Sequence, residues 1–401
     1  MRDWDVPSLA LVIVLCAVGV IMVHSATAGK ETQARDMGID QLIRVVIGFV
    51  LLAVVSRLPL RFWQIVAYPG YAVTLVLLAV VPFIGRTHGG ATRWLGLGMI
   101  EIQPSELGKV AVTLALALFL ADQRGRRPWR TIGMGALIVG IPFGLILIEP
   151  DLGTSLVLLP VAVGMMWWSG VPFLALFSVI MPVLSTVCAF SLATWAALMA
   201  TVVAVLAWAR AGFWRFVLVC GACVATGLLT PHGWGMLEDY QKTRILVFLN
   251  PGIDPRGSGW NVIQSRIAIG SGRILGKGLM GGTQKALAFL PAQHTDFIFS
   301  VIGEELGFVG TQMVMLLFAM LLWRLVGIAA KCRSRFAGIA AIGFAVSIAT
   351  QVFINVGMTV GVLPVTGLPL PFVSYGGTHV IATLCTIGIL QSLRRNWKET
   401  S

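Results

Sequence analysis

Apolar residues run in long continuous blocks along this chain, broken by short polar stretches, instead of alternating with polar positions. Blocks of about 20 apolar residues are long enough for a helix to cross a hydrocarbon layer. Only helices and closed barrels satisfy their own backbone groups in lipid. A barrel would show alternating segments of about ten residues, and these blocks do not alternate. The pattern predicts an all-α, polytopic membrane helical bundle of about 10–12 spans. Twelve are placed, over 7–25, 40–57, 62–84, 104–121, 132–148, 153–169, 172–190, 193–209, 214–230, 297–323, 337–363 and 373–393. The connections within 153–230 are tight. Trp168-Ser-Gly-Val-Pro172, Ser191-Leu-Ala-Thr194 and Arg210-Ala-Gly-Phe-Trp214 are rich in residues that end helices. The first block, with its charged flank and no small-residue cleavage site, reads as a retained span. Residues 1–401 form a single integral membrane domain.

Composition agrees with the pattern: 57% of residues are hydrophobic and 11% charged, against about 25% charged in soluble domains. The formal net charge of +12 raises nucleic acid as a partner, but no basic cluster has the size or soluble setting for it. Lysines and arginines of membrane proteins gather in cytoplasmic loops. With a cytoplasmic N-terminus, sixteen fall inside (Arg2, Arg57, Arg61, Arg124, Arg126, Arg127, Arg130, Arg210, Arg215, Arg324, Lys331, Arg333, Arg335, Arg394, Arg395 and Lys398), and the short outer loops hold five (Lys30, Arg35, Arg44, Arg86 and Arg93). Both termini are therefore expected in the cytoplasm. The polar stretches 85–103, 231–296 and 364–373 are expected outside. The six cysteines form no disulfide framework. Cys220 and Cys223 have CxxC spacing without the soluble βαβ setting of a redox site, and small residues packing helices together account for them better.

The large loop concentrates the chemistry. No P-loop, GxGxxG unit, HExxH or EF-hand occurs. Gly270-Ser-Gly272 with Gly276 only echoes a phosphate loop and lacks the strand before it. Asp254 stands alone as a carboxylate in Asn250-Pro-Gly-Ile-Asp-Pro255. Seven cations (Lys242, Arg244, Arg256, Arg266, Arg273, Lys277 and Lys285) suggest an anionic ligand, against the alternative of a solvated loop face. His294-Thr-Asp296 with Glu304-Glu305 contains metal-ligand residue types. Nothing in the spacing makes them converge, so no metal ligands are assigned. The plausible metal is a hard divalent ion, Mg2+ or Mn2+, beside phosphates.

Two further groups stand out. Charges inside a bilayer are functional candidates, and Glu106 and Lys109, three apart, share one helix face. They read equally as a structural ion pair or as the polar floor of an outward cavity. Arg93-Trp94 has the makings of a lipid-phosphate contact at headgroup level, or of a plain interface anchor. In Glu149-Pro-Asp151, Asp151 is placed to cap the sixth span.

In this order, these residues resemble the SEDS family of shape, elongation, division and sporulation proteins. The resemblance is carried by Arg93-Trp94, Gln103-Pro-Ser-Glu106 with Lys109, Pro150-Asp-Leu-Gly-Thr154, Asp254-Pro255 with Gly257-Ser-Gly259, Leu290 to Phe299, Gly303-Glu-Glu-Leu-Gly307, and Asn355 through Leu363 to Gly377. It covers nearly the whole chain. Ile267 to Gly272, Lys277-Gly278 and Gly282-Thr-Gln284 look like the elongation branch more than the division branch. The resemblance implies a peptidoglycan glycosyltransferase of the bacterial cytoplasmic membrane, polymerising lipid II (a disaccharide-peptide on undecaprenyl pyrophosphate) on the outer face during cell-wall elongation. It implies a class B penicillin-binding protein of the PBP2 type as transpeptidase partner, among other membrane proteins of the elongation machinery. It places the essential loop carboxylate at Asp254, as general base of an inverting transfer. Arg93, Glu106, Lys109, Gln264, Arg266, Lys277, His294, Asp296 and Ser374 are the expected substrate-binding residues. Two features depart from the family: two spans more than the usual ten, and Glu149 where glutamine is expected. The rival classes are a lipid II flippase or transporter and the division paralogue. A carrier usually shows related halves and polar lining through its full depth, and the sequence has neither.

Overall fold

A computed structural model describes residues 4–27, 34–88, 91–97, 100–123, 127–236, 242, 247, 252, 254, 259–282 and 293–395. Every predicted span is a helix: α1 (Val6–Thr27), α2 (Ala34–Val55), α3 (Leu60–Ile84), α4 (Pro104–Ala121), α5 (Pro128–Ile148), α6 (Leu152–Trp168), α7 (Phe173–Cys188), α8 (Leu192–Trp208), α9 (Phe213–Met236), α11 (Ile298–Lys331), α12 (Arg335–Val360) and α13 (Gly377–Arg395). A short helix, α10 (Trp260–Ser271), lies within the large loop. Eight of the described helices are long and apolar enough to cross a membrane, and α6, α7 and α8 are shorter apolar helices. The chain is a multi-pass membrane protein.

Local chemistry sets the helix ends. Pro104 and Pro128 occupy first-turn positions, where the missing N–H costs nothing. Asp151 caps α6 by accepting the Thr154 N–H at 3.2 Å, as its position in the sequence predicts. α4 and α12 are the enclosed centre, and one continuous apolar core joins them to α1, α6, α11 and α13. α7, α8 and α9 form a satellite around Phe177, Leu198, Val202, Leu206, Val219 and Cys223. Polar ties stiffen it: the Ser185 hydroxyl donates to the Cys223 carbonyl at 2.7 Å, and Thr226 to the Pro182 carbonyl at 2.9 Å. All six cysteines are free thiols.

The bundle has two ends. At the terminus end, Arg324 and Arg394 both reach the carboxylate of Asp5. Burial alone would raise the Asp5 pKa, but the Arg324 hydrogen bond and the two positive charges bring it below its ordinary value. The opposite, loop end carries the polar stretches. Within 85–103, which the sequence marks only as a polar stretch, the described residues include strands. β1 (Arg86–His88), β2 (Ala91–Leu97) and β3 (Ile100–Ile102) form a three-stranded antiparallel sheet in that order. Arg86 meets Glu101 across it at 3.2 Å.

α11 is broken near the loop end. Gly307 has φ 66° and ψ −163°, outside helical space. The turn after α10 enters the break: the Lys277 and Gly278 N–H groups donate to the Glu304 and Glu305 carbonyls at 3.0 Å each. In return, the Phe308 and Val309 N–H groups donate to the Arg273 and Ile274 carbonyls at 2.9 and 3.1 Å. The turn thus supplies the bonds that the helix loses. A Cβ at Gly307 would sit 2.3 Å from the Gly276 backbone nitrogen. We expect Gly307→Ala to destabilise the protein by on the order of 1–3 kcal/mol, read as a lower melting temperature in detergent. Gly327→Ala, on the same helix with open space around it, is the control that does not lower the melting temperature.

Candidate active site

Asp254 lies half-exposed at the loop end, and its backbone carbonyl accepts the Gly259 N–H at 3.0 Å immediately before α10. α10 is fastened in turn. Ser265 bonds the Ser300 hydroxyl and donates to the Thr359 carbonyl, both at 2.6 Å. Arg266 donates to the Val360 and Gly361 carbonyls at 3.1 and 2.8 Å, closing the C-terminus of α12. These bonds anchor the helix that follows Asp254 to the core helices α11 and α12. Gln264 is buried on the inner face of α10, and its amide oxygen finds no partner among the described residues.

A second group forms where β2 meets the α5–α6 turn. Arg93 donates to the Glu149 carbonyl at 3.2 Å and to the Pro150 carbonyl. Gln103 and Ser105 donate to the Asp151 carboxylate at 3.0 and 3.2 Å. The Asp296 carboxyl is pushed up to about 6, mainly by burial; Thr295 and Arg93 pull it down and Asp151 raises it. Among the described residues, both carboxylate oxygens of buried Glu149 lack a hydrogen-bond partner. Burial, with Asp151 adding, pushes its pKa up to about 8 against the pull of Arg93. The folded state therefore holds this proton where the unfolded chain, titrating near 4.5, has lost it. Stability falls as pH rises from about 4.5 to about 8. Glu149→Gln should melt higher than the parent at pH 8 and alike at pH 5, as thermal melts in detergent will show.

The 293–297 and 364–376 segments interlock. Asn355 donates to the Asp296 and Leu368 carbonyls at 2.9 and 2.7 Å. Ser374 donates to the Thr295 carbonyl at 2.6 Å and accepts the Leu370 N–H at 2.8 Å. The Tyr375 N–H donates to the His294 carbonyl at 2.9 Å, and the two rings meet edge-on at 5.6 Å. Gln41 of α2 donates to the Ser374 carbonyl at 3.1 Å. Of four predicted residues gathered here, Arg93, His294 and Asp296 reach one connected surface, while Ser374 is buried and bonded to Thr295.

Glu106 and Lys109 are a buried pair at 2.9 Å. Lys109 also donates to Gln351 at 3.1 Å, and Glu106 meets the His379 Nδ1 at 3.0 Å. A cavity of about 20 Å³ lies against Glu106, Lys109, Ser347 and Gln351, room for about one water. The pair ties α4 to α12 and α13 as a structural ion pair, and the small cavity beside it has room for a water rather than a substrate. Lys277 pairs with Glu304 at 2.7 Å inside the α11 break, and Glu305 accepts from Ser25 at 2.6 Å. Among the described residues no three His, Cys, Asp or Glu side chains gather to hold a metal ion. Gln351, His379 and Ser25 escaped the sequence reading. A polar residue inside an apolar run was the available signal.

The comparisons agree with this architecture. The FtsW/RodA/SpoVE family, described as cell cycle proteins, matches residues 7–196 and 173–399. The chain belongs to this family. It is 33% identical to the peptidoglycan glycosyltransferase MrdB of Escherichia coli, covering 99% of this chain and 96% of the relative. It is 31% identical to the peptidoglycan glycosyltransferase RodA of Treponema pallidum, covering 98% of each. A chain of a peptidoglycan synthase complex, solved for its coordination of polymerization and crosslinking, overlays with TM-score 0.76 at 29% identity and full coverage of both. RodA of Thermus thermophilus, the rod shape determining protein, overlays with TM-score 0.66 at 27% identity, covering 99% of this chain and 98% of that one.

Proposed function

We propose that this chain polymerises lipid II into β-1,4 glycan strands during cell-wall elongation. The observation that carries the reading is full-length similarity, in sequence to MrdB and RodA and in fold to a chain of a peptidoglycan synthase complex. It is a peptidoglycan glycosyltransferase. We place the loop end outside the cytoplasmic membrane and both termini inside, on the excess of cations at the terminus end over the short outer loops, an excess that grows once Arg44 is assigned to α2. We assign a class B penicillin-binding protein as its partner.

In this reading the acceptor's GlcNAc 4-hydroxyl attacks the anomeric carbon of the lipid-linked donor. Its proton passes to the Asp254 carboxylate. The bond to the pyrophosphate oxygen breaks, and undecaprenyl pyrophosphate leaves with the bonding pair. One displacement converts the α-linkage to β and needs a single base, as in inverting hydrolases. The leaving group carries its own charge and needs cations more than a proton donor. Arg93, beside Asp296 on the connected surface, is assigned to substrate. Lys109, Arg266 and Lys277 bond within the fold, and we assign them to holding the loop end in shape. The test is polymerisation of fluorescent lipid II by the purified chain with a class B penicillin-binding protein. Glycan polymer is expected. Lipid II translocation in vesicles without any polymer would favour the flippase reading.

A further inference from the structure

Arg44 was read from the sequence as an outer-loop residue. The structure places it ten residues into α2, about 15 Å along the helix at 1.5 Å per residue. Its guanidinium lies over the Tyr375 ring, 4.6 Å from the centroid. It also lines the backbone at Gly377, where an added Cβ would come 3.5 Å from its Nε. Among the described residues Arg44 makes no hydrogen bond and no ion pair. Arg93, Lys109, Arg266 and Lys277 all bond within the fold.

A half-buried arginine in a spanning helix is costly unless something answers its charge. The tyrosine face holds the guanidinium through its π surface, and among the described residues the N–H donors are left unused. That is the arrangement that grips phosphate bidentately. Its surroundings are fixed: Gln41, one turn earlier on α2, bonds the Ser374 carbonyl, and Tyr375 is tied to His294. Gly377 leaves the guanidinium uncrowded. We infer that Arg44, oriented by Tyr375, binds a phosphate group of a polyprenyl pyrophosphate, the anionic part shared by donor and leaving group. The inference rests on the glycosyltransferase reading for its ligand and on the Arg44 geometry for its place. An ordinary anionic phospholipid offers the same phosphate chemistry, so the experiment separates the two.

The full-length protein, purified in detergent, is titrated with farnesyl pyrophosphate by calorimetry. Arg44→Gln should weaken binding about tenfold or more, the loss of one or two charged hydrogen bonds. Arg44→Lys, which keeps the charge and loses the fork, should fall between. Tyr375→Leu, which removes the stacking face and leaves the cation, should weaken binding about threefold or more. Unchanged melting temperatures certify the folds, and if Arg44→Gln misfolds the other two variants decide. Binding of farnesyl pyrophosphate that is indifferent to the substitutions overturns the inference. So does displacement of the probe by phosphatidylglycerol at equal concentration, which would mark a general lipid site. Polymerisation does not enter this readout. Arg44-dependent binding in a protein that makes no glycan would count against the enzyme reading and leave the site standing.

Discussion

Asp254→Asn should abolish glycan polymerisation while leaving the protein folded and bound to the proposed penicillin-binding partner. The substitution keeps shape and removes the basic oxygen. General-base catalysis is worth roughly 10²–10⁴-fold, so polymer from purified lipid II should drop below detection in a gel assay. Folding should survive because Asp254 is half-exposed and its backbone carbonyl, which accepts from Gly259, is unchanged by the substitution. Melting temperature and co-purification of the partner are the controls. Full activity in this variant would remove Asp254 from the chemistry.

Lys109→Met should be the most destabilising single change at the polar centre. Among the described residues it leaves the buried Glu106 carboxylate with His379 as its one remaining partner, at 3.0 Å, and it frees the Gln351 oxygen that Lys109 contacts. Breaking one side of a buried ion pair costs roughly 3–5 kcal/mol, whereas replacing both members by groups of similar volume is often close to neutral. The paired variant Glu106→Gln/Lys109→Met should therefore recover most of the lost melting temperature. Equal losses in the single and paired variants would show that the pair is not what the surrounding helices are built on. Activity of the paired variant separates a fold-holding role, in which polymerisation returns with stability, from direct contact with substrate, in which it does not.

The spans were legible because membrane helices leave long, continuous apolar runs, and length alone sets their number. The Asp151 cap was legible because capping is local chemistry, decided within four residues. What joins distant segments was not. The sequence reads Lys277 and Arg266 only as cations; that Lys277 pairs with Glu304 and Arg266 bonds the end of α12 needs the fold. The β-sheet was hidden because β1 and β3 span only three residues each, too short for an alternating pattern to register. Gly307 breaks α11 without a proline to announce it, and the break makes sense only with the 273–278 turn seated in it. Arg44 already falls inside the span predicted from residue 40, so counting it with the outer loops conflicts with that span, and the helix begins earlier still, at Ala34. Asp254 is proposed from its setting among turn residues and from the resemblance together; neither alone assigns its role.

The central claim, that this chain joins lipid II units through Asp254, is tested most directly in one reaction series. Purified lipid II is incubated with the chain and a class B penicillin-binding protein, with wild type and Asp254→Asn side by side. Long glycan strands from wild type, and none from the variant, are the predicted result. Strands from both, or from neither while the wild-type complex is folded and assembled, would contradict it.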